Sequence, residues 1–355
     1  MNDYDYLNAR VRGMSTQLLS REFYEQVLAA WTDTILLDAL LGSSYAADVE
    51  EARAKHATAP VSTAIEAALR SNAASVVSRL LSTAPPEPRR LLAIQLNRWD
   101  VANVISLLRA QLAEAGPHEA LAAVFPFGEL EEAQLGKLAA EKDVENLADA
   151  LTTWEHPIGF EMRRAIRECA APHDARALER DLYRAYFTWA LAQLGKDDPQ
   201  KALVRDCVCR QIDIVNVIAI LTAIKARGDG EAADGDELTL FEQGTLDEKV
   251  LHELRACDSL EAAFELLEGT YFSPGVEKGI LTYGQSQSLG VMQRFLEAVA
   301  VQRACGFFRK DLLGIAVPLG FIWRKYSECV NLRLLARGTF FRMPANTVRL
   351  ELVLV

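Results

Sequence analysis

An acidic residue, one further residue, an alanine or valine and then an asparagine occur in that order three times, as Asp100-Val-Ala-Asn103-Val-Ile-Ser-Leu107-Leu, Asp213-Ile-Val-Asn216-Val-Ile-Ala-Ile220-Leu and Glu328-Cys-Val-Asn331-Leu-Arg-Leu-Leu335-Ala. From 100 to 213 is 113 positions and from 213 to 328 is 115, an evenness that chance rarely produces. On a helix, residues three and four apart share a face, so each acid lines up with its asparagine. A carboxylate and a carboxamide there can bind a ligand or fasten a neighbouring helix end or loop by hydrogen bonds. One acid and one amide per helix fit the second use better. The stripe Val101, Val104, Ile105 and Leu108 runs beside the first pair, which places the motif at a boundary between core and polar surface. A buried amide without partners costs about 1–3 kcal/mol, so these residues should be fully engaged, and Asn216→Leu should loosen the fold before it alters any chemistry.

The third copy departs from the others. Arg333 stands where the first two have Ile105 and Ile218, and Arg337 follows one turn later, with Arg342 and Arg349 beyond. This positive charge is either an ordinary solvated face or part of a partner surface.

Other arrangements that carry catalysis are missing. Gly136-Lys137 and Gly195-Lys196 lack the remainder of a phosphate-binding loop, and no dinucleotide fingerprint, nucleophile elbow or His-Glu-x-x-His helix occurs. The five histidines, His56, His118, His156, His173 and His252, have no metal-like spacing and read as surface loop residues. Cys207 and Cys209 form a single Cys-x-Cys pair without a second pair at finger spacing, so they read as ordinary half-buried thiols. The acidic pairs Glu50-Glu51 and Glu131-Glu132 read as solvated charge.

The elements that must position the repeated motif are helices, because apolar residues recur at three- and four-residue spacing almost throughout. Breaks are expected at 84–88, 116–117, 126–128, 156–159, 195–199 and 227–236. The glycine-rich stretch 269–290 reads as a mobile surface loop. A weaker element precedes each motif: Leu28 leading to Leu40-Leu41-Gly-Ser-Ser-Tyr45, Leu138 leading to Ala150-Leu151-Thr-Thr-Trp154, and Leu254 leading to Leu266-Leu267-Glu-Gly-Thr-Tyr271. Two elements in one order at one separation point to an all-α chain of three homologous helical units, 15–115, 122–229 and 238–355, after an N-terminal segment 1–14.

The 49 acidic and 38 basic residues give a net charge of -11, which opposes binding to nucleic acid or anionic lipid. Six cysteines behind an opening without an apolar signal stretch suit a reducing cytoplasm. The longest apolar runs, 212–224 and 312–323, fall short of the roughly 20 residues of a membrane span.

Two further stretches carry a family resemblance. The start, Tyr6-Leu-Asn-Ala-Arg-Val-Arg-Gly-Met14, and the end, Leu313-Gly-Ile-Ala-Val-Pro318 leading into Glu328-Cys-Val-Asn331-Leu-Arg and closing past Gly338 and Pro344, resemble the C-subunit family of V-type/A-type ATPases, whose eukaryotic member is the V-ATPase d-subunit. The chain departs from it at the alanine-rich 53–74, the insertion 228–236 and Cys329. The resemblance implies three helical units as a pseudo-threefold funnel with no catalytic site and no cofactor. It implies a single-copy central-stalk adaptor, cytoplasmic and peripheral to the membrane. The adaptor joins the membrane rotor ring (c/L type) to the central shaft (D/F type) and transmits torque for ATP-coupled ion transport. Asp100, Asn103, Asp213, Asn216, Glu328 and Asn331 become equivalent inner-helix positions, and Arg333 and Arg337 candidate partner contacts. A helical interaction scaffold unrelated to rotary ATPases is the alternative.

Overall fold

A computed structural model describes residues 4–141, 143–169, 174–195, 198–230, 239–309 and 311–354. Those residues are all-α, with no strand among them. His173 and most of the 228–236 insertion lie outside the described residues, as do two positions of the expected break at 195–199.

Five helices recur in one order. The first series is α2 (Arg21–Ala29), α3 (Asp33–Leu41), α4 (Ala46–Lys55), α5 (Val61–Thr83) and α6 (Pro86–Leu112), preceded by α1 (Asp5–Ser15). After the short α7 (Pro117–Ala123) come α8 (Glu132–Ala140), α9 (Val144–Thr153), α10 (Gly159–Glu168), α11 (Ala175–Gln193) and α12 (Pro199–Gly228). The last series is α13 (Glu248–Ala256), α14 (Leu260–Glu268), α15 (Ser273–Ser286), α16 (Leu289–Gly306) and α17 (Ala316–Phe340), followed by α18 (Ala345–Glu351).

Local chemistry sets these limits. Thr32, Asp143 and Ser259 are the N-caps of α3, α9 and α14, and each side chain accepts a hydrogen bond from the backbone N–H three residues on. Pro86 and Pro199 stand in the first turns of α6 and α12, where a missing N–H costs nothing. Each long helix ending a series is apolar on more than one side and lies deep in the protein. Helix α12 is long and apolar enough to cross a membrane by length and composition, unlike the shorter run expected from sequence. Two thirds of its apolar window, however, is buried inside the protein, as in a core helix.

The chain divides into two compact units, Met1–Gln193 with Phe307–Val355, and Leu194–Gly306. In the first, Leu36, Leu40, Tyr45, Ile65 and Leu69 share a core with Leu332 and Leu335 of α17 and Val348 of α18. In the second, Val217, Ile220 and Leu221 of α12 pack with Phe264, Phe272, Val276, Met292 and Leu296.

The glycine-rich stretch 269–290 is not a loop: most of it is α15. Two of its glycines let α15 press against α16. A Cβ on Gly275 would lie 2.6 Å from the Phe295 carbonyl oxygen, and one on Gly279 would lie 2.6 Å from Met292 Sδ. These glycines serve close helix packing rather than backbone freedom.

Candidate functional site

The three acid and asparagine pairs lie on α6, α12 and α17, and all six residues are buried. The expectation of a boundary position is corrected, because loops cover the face of each helix that the pair occupies. Each pair makes a clamp in which the acid accepts from backbone N–H and the asparagine pairs with one peptide unit.

Around α6, Asp100 accepts from the backbone N–H of Glu129 at 2.7 Å and of Leu130 at 3.1 Å, just ahead of α8. The backbone at Gly128 passes so close that an added Cβ would sit 1.9 Å from Asp100 Oδ1. Asn103 Nδ2 donates to the Phe125 carbonyl at 2.8 Å while the Phe125 N–H donates to Asn103 Oδ1 at 2.9 Å. The carboxamide thus pairs with a peptide unit as a neighbouring strand would. Glu129 beside it accepts from Asn97 Nδ2 at 2.7 Å. Burial and the Asp100 carboxylate raise the Glu129 pKa, with Asn97 opposing.

Around α12 the pattern repeats. Asp213 accepts from the Thr245 N–H at 2.9 Å, the Leu246 N–H at 3.1 Å and the Thr245 hydroxyl, and Gly244 would place a Cβ 2.1 Å from Asp213 Oδ1. Asn216 exchanges two 2.8 Å bonds with the peptide group of Phe241. The Tyr271 hydroxyl donates to Asp213 at 2.9 Å, and the Arg210 guanidinium lies over the Tyr271 ring at 4.4 Å. Asp206 pairs with that guanidinium at 3.1 Å and also receives Arg303 of α16 at 3.0 Å.

Around α17 the acid is one methylene longer. Glu328 accepts from the Leu19 N–H at 2.5 Å, the Tyr45 hydroxyl at 2.8 Å and Lys325 Nζ at 2.8 Å. Lys325 also donates to the Tyr45 oxygen at 2.7 Å. Asn331 exchanges two 2.9 Å bonds with the Val353 peptide group, and the Ser327 hydroxyl adds a third bond to that carbonyl at 2.8 Å. The third clamp therefore draws together the first helices and the last residues of the chain. No glycine precedes the bonded amide here: Leu18 stands where Gly128 and Gly244 stand in the others, since the longer glutamate reaches its amide from further back.

A hydroxyl or imidazole completes each clamp. Tyr45 and Tyr271 donate to Glu328 and Asp213, and burial first, then the adjacent carboxylate charge among other groups, raises both phenol pKa values, so they remain donors at neutral pH. In the α6 clamp the residue is His156, whose Nε2 lies 3.2 Å from Asp100 Oδ2. The reading of His156 as a surface residue is thus corrected: its side chain is only 4% exposed. Trp154, the aromatic singled out from sequence, only ends α9. The caps carried the signal. Tyr45 lies thirteen residues past Thr32, His156 thirteen past Asp143 and Tyr271 twelve past Ser259.

The two arginines of the third copy differ in environment. Arg333 pairs with Glu66 at 2.7 Å and lies over the Phe125 ring at 4.6 Å, whereas Arg337 is exposed. Cys207 and Cys209 are buried rather than half-buried, and among the described residues no group of three or more His, Cys, Asp or Glu could hold a metal. Of the acidic pairs, Glu132 bonds Arg70 at 2.7 Å and Glu131 caps α8, so that pair is structural rather than merely solvated. The carboxylates and carboxamides of the clamps are spent on holding chain to chain.

The family model described as ATP synthase (C/AC39) subunit matches residues 7–351. The chain is 26% identical to the C-subunit of the V-type ATP synthase of Deinococcus radiodurans, over 99% of this chain and 91% of that one. It is 25% identical to the C-subunit of the A-type ATP synthase of Thermococcus kodakarensis, over 94% of this chain and 86% of the relative. The corresponding protein of Methanocaldococcus jannaschii is 22% identical, over 99% and 86%.

Proposed function

Because the chain belongs to the ATP synthase (C/AC39) subunit family, we propose that it is the central-stalk adaptor of a V/A-type rotary ATPase, joining the membrane rotor ring to the central shaft and transmitting torque between them. The match across residues 7–351 carries this reading, since it spans all three clamps. A torque-bearing adaptor requires a stiff body whose segments cannot slip along one another. A buried carboxylate gripping one or two backbone N–H groups, with a carboxamide gripping a whole peptide unit one turn later, resists such slippage.

In this reading the units 15–115, 122–229 and 238–355 form a pseudo-threefold funnel, and the clamp residues Asp100, Asn103, Asp213, Asn216, Glu328 and Asn331 line its inner helices. The protein acts without a catalytic site of its own, as one copy per complex. It sits on the cytoplasmic face, peripheral to the membrane through the rotor ring. Its partners are the D/F-type shaft and the c/L-type ring, not nucleic acid. Arg337 is a surface candidate for partner contact, while Arg333 acts through Glu66 and Phe125.

The test is affinity purification of the tagged chain from its native membranes in mild detergent, with mass spectrometry of what accompanies it. Shaft, ring and catalytic ATPase subunits should co-purify. Their absence, from a preparation that contains intact rotary ATPase, would reject the adaptor role and leave a helical scaffold with another partner.

A further inference from the structure

The end of α17 carries an aromatic and basic surface that the other described residues leave open. Arg337, Phe340 and Phe341 are three and four positions apart and so share one helix face. Phe340 is 53% and Phe341 68% exposed, and their rings meet edge-on with centroids 5.0 Å apart. Arg337 and Arg342, just past the helix end, are exposed, and neither guanidinium has an ion-pair or hydrogen-bond partner among the described residues. Beside them opens a cleft of about 720 Å³ lined by Trp31, Pro60, Val61, Phe340, Arg342 and Met343. Its wall is held in place, because Trp31 Nε1 donates to the Met343 carbonyl at 2.7 Å and the Trp31 ring packs against the backbone at Gly338. Asp33 is the one carboxylate among the described residues of its lining.

Charge and shape together select the occupant. The chain as a whole carries -11, so two unpaired arginines flanking exposed rings mark a local place where an acidic group is welcomed. A second copy meeting this patch face to face would set arginine against arginine. A flat bilayer would leave the concave cleft unfilled. An amphipathic helix can seat apolar side chains in the cleft and on the two rings while its acidic flank meets Arg337 and Arg342. We propose that this surface docks an acidic amphipathic helix of another protein in the assembly, an inference that rests on the adaptor reading.

The experiment places a photoreactive phenylalanine analogue at position 341 of the tagged full-length chain and irradiates the complex purified from native membranes. The cross-linked peptide should come from a different protein of the complex, with apolar residues at three- and four-residue spacing and a net negative charge. In a parallel binding assay against the remainder of the complex, R337E/R342E should weaken affinity at least about tenfold with helical content unchanged. Cross-links confined to lipid or to a second copy would overturn the proposal. So would an intact complex with no cross-link at 341, or charge reversal without loss of affinity. Failure of the wild-type chain to bring down any rotary ATPase component would instead reject the adaptor reading, and this inference with it.

Discussion

Around Asp213 the bonded groups lie 32 to 58 residues further along the chain, whereas Glu328 reaches back 309 residues to Leu19 and 283 to Tyr45. For an otherwise open chain, that tenfold longer closure costs about 2 kcal/mol more in entropy. The longer closure also has the stronger chemistry. Lys325 adds a charge-assisted bond to Glu328 and a second bond to Tyr45, where Asp213 is met by a threonine and a tyrosine hydroxyl. The acceptor position recurs, while the donors around it vary with the distance over which the chain is joined.

The largest expected effect breaks this comparison directly. Glu328→Ala should cost about 4 kcal/mol, because it strands a buried lysine as well as an amide and a hydroxyl. Asp213→Ala, which strands only neutral donors, should cost about 3 kcal/mol. Urea unfolding of the two variants ranks them, and a smaller loss at Glu328 would remove the role given to Lys325.

Next come the glycines. Gly128→Ala and Gly244→Ala should each cost about 3 kcal/mol, since the new Cβ enters the space of a carboxylate that is already bonded. Leu18→Ala, at the corresponding place of the third clamp, should cost less than about 1 kcal/mol. Losses at Gly128 and Gly244 no larger than at Leu18, which already carries a Cβ, would mean that the two aspartates yield to the added atom and that the close approach does not require glycine.

A finer test deletes single hydroxyls. Tyr45→Phe should cost about 2 kcal/mol, because that oxygen bonds both Glu328 and Lys325, against about 1 kcal/mol for Tyr271→Phe. Thermal unfolding at one pH separates the two values.

The smallest effect concerns pH. The Glu129 pKa is raised on folding, so between the ordinary carboxylate range and its folded pKa the native state binds more protons than the unfolded chain. Stability contributed by this group is therefore greatest below that window and declines as pH rises through it. Glu129→Gln should remove the decline and stabilise the protein slightly at neutral pH while keeping an acceptor for Asn97 Nδ2. A melting temperature with the same pH slope as wild type would assign the slope to other groups.

The helical class and the motif itself are written in side-chain order, because a period near 3.6 and an acid with an amide three residues on are local properties of the chain. Thr32, Asp143 and Ser259 were also legible as caps, and through them His156 could have been placed beside Tyr45 and Tyr271. What each acid grips was not legible. The bonds of Asp100, Asp213 and Glu328 run to backbone N–H groups, which every residue but proline possesses and which leave no mark in the sequence. The packing role of the α15 glycines is equally unmarked, because the Phe295 backbone and Met292 that press against them belong to the next helix. Residue types set which groups could bond and which helices would form. Only the tertiary structure brought residue 19 to residue 328, since a contact across 309 positions depends on how the helices of the unit that holds both residues pack, which no local stretch of sequence encodes.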